Sequence, residues 1–247
     1  MPRERHLIDV RYRLTFDAPF HCGTGLREGL LDRTVQRDTE GHLLVPGSTI
    51  KGALRQCCEH LATLFGIPVR DPHNELEAIA DYGPPDVISR LFGTRVAPCT
   101  LRFDDALLDQ SWQEIFKDDN WPWQTEVRTQ VSISRMTHTA HPALLFTSEY
   151  GLRGFSFTGQ ITGLLEDWPI NDISEGPGTF GLSLLITGLL MLERLGGNRS
   201  AGLGACHTDL EQLTIDREAI DLENTLPAYL TNLSQLPYIS LVENEGL

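Results

Sequence analysis

Positive charge is what this chain has least of. Lys and Arg number 20 against 34 Asp and Glu, a formal net charge of −14 over 247 residues. Phosphate backbones are held by basic side chains, so binding of nucleic acid over the whole surface is excluded. Long apolar runs are missing too. The longest, Phe180 to Leu192, is interrupted by Ser183, Thr187 and Gly188, and it falls short of the roughly 20 residues that a membrane helix needs. The opening segment MPRERHLIDVRYRLTF alternates charged and apolar residues, which predicts no signal peptide. Five cysteines, Cys57 and Cys58 adjacent, make no disulfide framework and fit a reducing cytoplasm. Neither GxGxxG nor a Walker A pattern occurs, which leaves nucleotide-cofactor binding without support. The expectation is a soluble, cytoplasmic chain with no membrane partner.

What is present is a folded composition, 40% apolar and 22% charged, in a chain long enough for one sizeable core. Residues 1–247 therefore read as a single domain. Its charge is uneven. Residues 1–60 hold nine Lys/Arg against eight Asp/Glu, residues 66–120 five against eleven, and residues 205–247 one against eight. An acidic back and a near-neutral, arginine-bearing front suit a protein that touches RNA on one side. A plain acidic enzyme has the same profile.

Period-2 alternation over residues 7–16 predicts a half-buried strand. Gly23, Gly25 and Gly29 follow in a loop, and residues 34–38 and 42–45 flank a turn in a predicted hairpin. Pro46-Gly47-Ser48 opens a helix with Ser48 or Thr49 as cap. Its core face is predicted as Ile50, Ala53, Leu54, Cys57, Leu61 and Leu64, and its exposed stripe as Lys51, Arg55 and Glu59. Residues 66–98 read as an irregular insertion with a short helix near 86–92, and 99–104 as a strand. A long projecting hairpin is predicted over 125–150, then a strand over 155–165. A buried helix over 179–195 is predicted to stop at Gly196-Gly197. A strand at 202–210 precedes an acidic C-terminal segment, 211–247. This order makes the fold class α+β, with a ferredoxin-like core.

Two stretches carry more than core information. In VPGSTIKGALR, residues 45–55, a helix N-terminus with Lys51 and Arg55 one and two turns in is a phosphate site, or else an ordinary helix with two solvated cations. In LGGNRSAGLGAC, residues 195–206, four glycines and Arg199 form a loop whose backbone can approach a ligand closely, or else a plain helix-to-strand connection.

Together with HCGTG and LLDRTVQRD at 21–25 and 30–38, LFGT at 91–94 and QVSISRMTHTAHPALLFTSEY at 130–150, these segments resemble the RAMP superfamily of CRISPR-associated proteins. They follow the order found in the backbone subunit of type III effector complexes, whose thumb is the 130–150 hairpin. The resemblance implies an RRM-like RAMP fold, a guide RNA and a target RNA as ligands, and other effector subunits, neighbouring RAMP proteins included, as partners. It places a target-cleaving aspartate at Asp32, six residues before Asp38, and a histidine at His21. Asp32 would take the proton of a 2′-OH or hold Mg²⁺ or another divalent cation, and His21, Arg27 or Arg33 would stabilise the phosphate. Guide phosphates would lie near Ser48, Lys51, Arg55 and the Gly196–Arg199 loop, including Gly197. Met136 and Leu145 at the thumb turn would wedge between bases or pack on a neighbouring subunit.

Leu31 stands where that family commonly has a small residue, which, with the acidic balance, also fits a RAMP subunit that scaffolds or caps the filament without cutting. A guide-processing endonuclease using His21 is a third reading. Cys57, Cys58, His60, His73 and Cys99 hold no CxxC pair and read as free thiols and histidines rather than a zinc site.

Overall fold

Alternation in the first strand decides where the core lies. Strand β1, Arg5–Phe16, buries Ile8, Val10, Tyr12, Leu14 and Phe16 on one face and leaves Arg11 and Arg13 exposed on the other. The computed structural model describes residues 5–67, 69, 86–94, 97–117, 121–166, 180–223 and 226–227.

The remaining elements are β2 (Leu44–Val45), α1 (Gly47–Leu64), α2 (Val87–Phe92), β3 (Leu101–Phe103), β4 (Ala106–Leu108) and α3 (Gln110–Ile115). They continue as β5 (Thr125–Ile133), β6 (Ala140–Gly151), β7 (Ser156–Glu166), α4 (Phe180–Leu190), β8 (Cys206–Ile215) and β9 (Glu218–Ala219). β1 is central, antiparallel to β7 on one side and to β8 on the other. The main sheet runs β2-β4-β7-β1-β8-β9, with β3 beside β4 on the same edge of β7. Taken as β1-α1-β3/β4-β7-α4-β8, this is the α+β, ferredoxin-like arrangement expected from the order of elements. No helix of the described residues is long and apolar enough to cross a membrane.

Helix α1 has no side-chain N-cap: Pro46 is the capping position, and neither Ser48 nor Thr49 serves as predicted. Asp105 instead reaches over from the β3–β4 turn, and its Oδ1 accepts the first helical N–H, that of Gly47, at 2.7 Å. A missing cap costs about 1 kcal/mol. Burial of Ile50, Leu54 and Leu61 outweighs it, at about 2 kcal/mol for each such side chain.

The predicted face of α1 is corrected by one step. Cys58, not Cys57, is the fully buried thiol, and Leu64 is 62% exposed. Helix α4 is buried on every side from Phe180 to Leu189, so no face is left to solvent, as its all-round apolar sequence required. It stops at Leu190, five residues earlier than predicted, because the chain turns there to bury Leu192 and Leu195 and pairs Leu195 N–H with Gly204 C=O at 2.8 Å.

Other boundaries shift for local reasons. The predicted 34–38/42–45 hairpin is present without regular strands: a bridge joins Arg37 and Leu43, Asp38 N–H donates to His42 C=O at 2.8 Å, Leu44 N–H donates to Gln36 C=O at 3.2 Å, and β2 also pairs with β4. The last long strand begins at Cys206 and runs through Ile215, so residues 211–215, and 218–219 after a tight turn, belong to the sheet. Of the 66–98 insertion, α2 is observed; residues 68, 70–85 and 95–96, and with them His73, lie outside the described residues, as does most of the tail beyond 223.

β5 and β6 form a separate two-stranded ribbon, the predicted thumb, closed by a turn at 134–139 in which His138 takes φ 55°.

Helices α1 and α4 cross at Gly188, where a Cβ would lie 2.6 Å from Cys58 Sγ and 3.2 Å from a Leu54 methyl. In an unhindered helix Gly→Ala is stabilising; here Gly188→Ala is expected to cost about 1–3 kcal/mol through overpacking. Urea unfolding checks the sign, and a gain in stability would refute this crossing.

Candidate functional site

A two-stranded ribbon leaves a row of unpaired backbone groups on each outer edge. On β6 that row is filled by the first loop. Phe20 pairs with Gly151, and Arg33 lies in a parallel bridge with Ser148. Asp32 N–H donates to Thr147 C=O at 2.9 Å, and Glu149 N–H donates to Arg33 C=O at 2.9 Å.

Both candidate acid–base side chains are seated on this edge. Asp32 Oδ2 accepts the Thr147 N–H at 2.9 Å, and its Oδ1 lies 3.5 Å from Arg27 Nε. His21 Nδ1–H donates to Glu149 C=O at 2.8 Å, since a carbonyl can only accept. Nε2 is thereby left as the acceptor of the neutral ring. Thr147 and Glu149 are two residues apart on one strand, so their same-edge backbone groups sit roughly 7 Å apart. The strand brings together two residues that the resemblance named separately.

The glycines around His21 follow from its position. A Cβ on Gly23 would sit 2.6 Å from His21 Nε2, and one on Gly196 would sit 2.6 Å from the His21 carbonyl oxygen. Gly197 N–H donates to that same carbonyl at 2.9 Å. The HCG and LGG segments are thus two halves of one cradle.

Beside it opens a cavity of about 360 Å³ between the first loop, the N-terminal half of α1 and the Gly196–Arg199 loop. Thr49, Gly52, Ala53 and Gln56 form its α1 wall, and His21, Gly197 and Arg199 line the opposite side. Arg199 Nη1 donates to Gln56 Oε1 at 3.2 Å across it. Arg199 is the one guanidinium among the described lining residues.

The other predicted residues are distributed around this centre. Ser48 is exposed at the start of α1. Lys51 and Arg55 are half-buried rather than fully exposed and point to other partners. Lys51 Nζ lies 5.6 Å from the Phe103 ring centre. Arg55 pairs with Glu59 at 2.7 Å and donates to Gly93 C=O at 3.0 Å, closing the end of α2 in the LFGT segment. Arg33 stacks on Phe146, 5.1 Å from the ring centre, and Arg27 is 81% exposed. Met136 is 94% and Leu145 66% exposed, out along the thumb.

Three residues were not singled out in the sequence. Glu149 has both carboxylate oxygens engaged: Oε2 accepts the Val35 N–H at 3.1 Å, and Oε1 accepts from Arg37 at 2.7 Å and from the Thr125 hydroxyl at 2.8 Å. Burial alone would raise its pKa, but the Val35 amide, the Thr125 hydroxyl and the Arg37 guanidinium outweigh that and hold it below the ordinary carboxylate range. Gln124, fully buried, accepts the Leu43 N–H and donates to Gly41 C=O. Tyr150, also fully buried, lies 5.7 Å ring to ring from His21. A polar residue in a strand sequence reads as solvent-facing, so no local signal distinguished these.

The open face of the main sheet is chemically different. Arg13 pairs with Asp109 and Glu211, Thr158 donates to Asp109, and Gln160 donates to Asp9. No Phe, Tyr or Trp of β1, β7 or β8 lies on that face among the described residues, so bases have no aromatic platform there.

The five cysteines are free; burial pushes the Cys22 and Cys206 thiols up to about 12. Among the described residues no three His, Cys, Asp or Glu side chains gather to hold a metal ion. Asp32 Oδ1 accepts no backbone N–H and faces the Arg27 guanidinium at 3.5 Å.

Comparison with family models matches residues 13–207 to the RAMP superfamily. No curated protein matches the chain.

Breaking the Glu149–Arg37 pair should be costly because one buried charge is left uncompensated. Glu149→Gln is expected to lose about 3 kcal/mol at neutral pH. The folded pKa is depressed, so the wild-type advantage is full above the unfolded carboxylate range and disappears as pH falls through the folded value. Unfolding titrations at neutral and acidic pH check this; a gap that stays constant in acid would contradict it.

Proposed function

The chain belongs to the RAMP superfamily, whose members are CRISPR-associated and typically bind RNA, and on that footing we propose that it is a guide-RNA-binding backbone subunit of a type III effector complex that cleaves complementary target RNA. It acts in the cytoplasm beside neighbouring RAMP proteins and other effector subunits. The observation that carries this reading is the seating of Asp32 and His21 on one edge of the thumb strand, with His21 also lining the cavity.

Guide phosphate and ribose occupy the cavity, against Gly52 and the Gly196–Arg199 loop, with the exposed Ser48 next in sequence to the lining residue Thr49. Glycine backbone and the Arg199 cation recognise shape and charge rather than bases, as a guide of variable sequence requires. The exposed Met136 and Leu145 on the thumb separate a target nucleotide from its stack. Its 2′-oxygen then lines up with the adjacent phosphorus. Asp32 Oδ1 takes the hydroxyl proton, the 2′-oxygen bonds to phosphorus, and the bond to the 5′-oxygen breaks, that oxygen taking a proton from water as it leaves. The products are a 2′,3′-cyclic phosphate and a 5′-hydroxyl. Arg27 and Arg33 offset charge on the phosphate. In place of that proton transfer, Asp32 Oδ1 would hold Mg²⁺ or another divalent cation, which would activate the 2′-hydroxyl.

A second reading has its own support. The Asp32–Thr147 bond fixes the loop whether or not chemistry follows, which suits a subunit that scaffolds or caps the guide filament without cutting.

The deciding experiment supplies the guide-loaded complex with end-labelled matched target RNA and Mg²⁺. Asp32→Asn keeps an oxygen for the Thr147 N–H and removes the base. Regularly spaced cuts are expected to slow at least about a hundredfold, with guide binding unchanged. Cuts that persist would remove Asp32 from the chemistry and leave the scaffold reading.

Gly52 supplies an independent check on the cavity. A Cβ there meets nothing within 4 Å, so packing within the chain does not require glycine at this position. Gly52→Ala should raise stability by about 0.5–1 kcal/mol and at the same time weaken RNA binding, measured by fluorescence anisotropy. Unchanged affinity would take RNA out of the cavity.

A further inference from the structure

The thumb and the cavity are joined through one buried ring. Tyr150 lies on β6 within the thumb root, fully buried, two residues before the strand leaves for β7. Its hydroxyl donates to Gln130 Oε1 on β5 at 3.2 Å. It also accepts from Asn198 Nδ2 at 3.4 Å, in the turn that carries Arg199 into the cavity. Its ring lies 5.7 Å from the His21 ring and 5.4 Å from the Arg128 guanidinium.

Asn198 holds a left-handed conformation, φ 57° and ψ 30°. That conformation is mildly unfavourable for a side-chain-bearing residue, and the hydrogen bond to Tyr150 helps to hold it. Arg199 follows directly and spans the cavity to Gln56. A chain of contacts therefore runs from Gln130 on the thumb through the Tyr150 hydroxyl to Asn198 and the cavity cation. A strand tyrosine with only a packing role does not need a partner from each of two separate elements.

We infer that Tyr150 is a positioning residue through which the thumb sets the conformation of the Asn198–Arg199 turn, and so tunes RNA binding in the cavity. This rests on the proposal that the cavity takes RNA. Displacement of the thumb on β5 and β6 is transmitted to Arg199 by the hydroxyl, while the ring keeps His21 in place.

The experiment measures anisotropy of a labelled single-stranded RNA with the full chain and the variants Tyr150→Phe, Asn198→Gly, their combination, and Arg199→Ala. Phe keeps the ring and loses the hydroxyl; Gly keeps the left-handed backbone and loses the amide. Each single variant is expected to bind about fivefold more weakly, the value of one neutral hydrogen bond. The double variant is expected to be no weaker than either single one, because both remove the same link. A purely structural role would lower the unfolding midpoint and leave affinity alone.

If Arg199→Ala weakens binding while Tyr150→Phe does not, or if the two hydroxyl-link variants add fully, the positioning inference falls and the cavity reading stands. If Arg199→Ala binds as wild type does, the cavity does not take RNA and both fall. Should Tyr150→Phe fail to fold, Gln130→Ala, at a half-exposed thumb position, removes the acceptor on the thumb side. It must then reproduce the weakening, and unchanged affinity would overturn the inference.

Discussion

The unpaired edge of β6 is the constraint on which the site depends. A two-stranded ribbon standing alone is at best marginally stable in water. This one gains a third, irregular member when the first loop lies down beside it between Phe20 and Val35. Residue 149 illustrates the economy of the joint. Its N–H, its C=O and both carboxylate oxygens all go to the loop or its neighbours, so a single position holds His21, Arg33, Val35 and Arg37. The low pKa of Glu149 follows from the same geometry, because ionisation is what lets the carboxylate accept three donors at once. Loop, thumb root and candidate acid–base groups therefore form one structural unit.

The two faces of the molecule differ in chemical character. On the open sheet face, arginine is balanced locally by carboxylates, as Arg13 is by Asp109 and Glu211. Histidine–aspartate pairs tie β8 to both ends of β1: His6 to Asp216 at 2.7 Å and His207 to Asp17 at 2.9 Å. Such exposed pairs contribute little to stability one by one. The glycine-lined cavity has the opposite character. Arg199 and the His21 ring face it with hydroxyl, amide and bare backbone around them.

How much of this was legible in the sequence depends on the range of the interaction. β1, α1 and the thumb were readable because period 2 and period 3.6 are properties of neighbours. The one-residue error on α1 arose where two cysteines stand together, and only the crossing with α4 at Gly188 selects Cys58 for the core. The early end of α4 was hidden for a similar reason: Gly196-Gly197 looks like a helix stop, yet Gly196 is there to admit the His21 carbonyl. The family motifs located Asp32, His21 and Arg199. They did not tell that Asp32 and His21 both sit on the edge of β6, since their contacts to Thr147 and Glu149 span 115 and 128 residues. Lys51 and Arg55 looked alike as cations one turn apart. Their partners, Phe103 and Gly93, belong to segments whose place beside α1 no local pattern encodes.

The acidic balance, at first sight an objection to RNA binding, becomes a statement about how the binding must work. Each basic residue that neutralises a phosphate on a single strand contributes about 0.7 to the salt dependence of affinity. A cavity with one guanidinium therefore supplies little electrostatic attraction. On the proposed reading the remainder comes from hydrogen bonds donated by glycine backbone and from fit, both indifferent to base identity. Such a site is weak alone and strong in series, because copies lined along one strand raise each other's effective concentration. A net charge of −14 then guards against the converse error. On the same reading, cellular RNA meets a chain of net negative charge, and only a strand presented by neighbouring subunits in the right register reaches several such sites together.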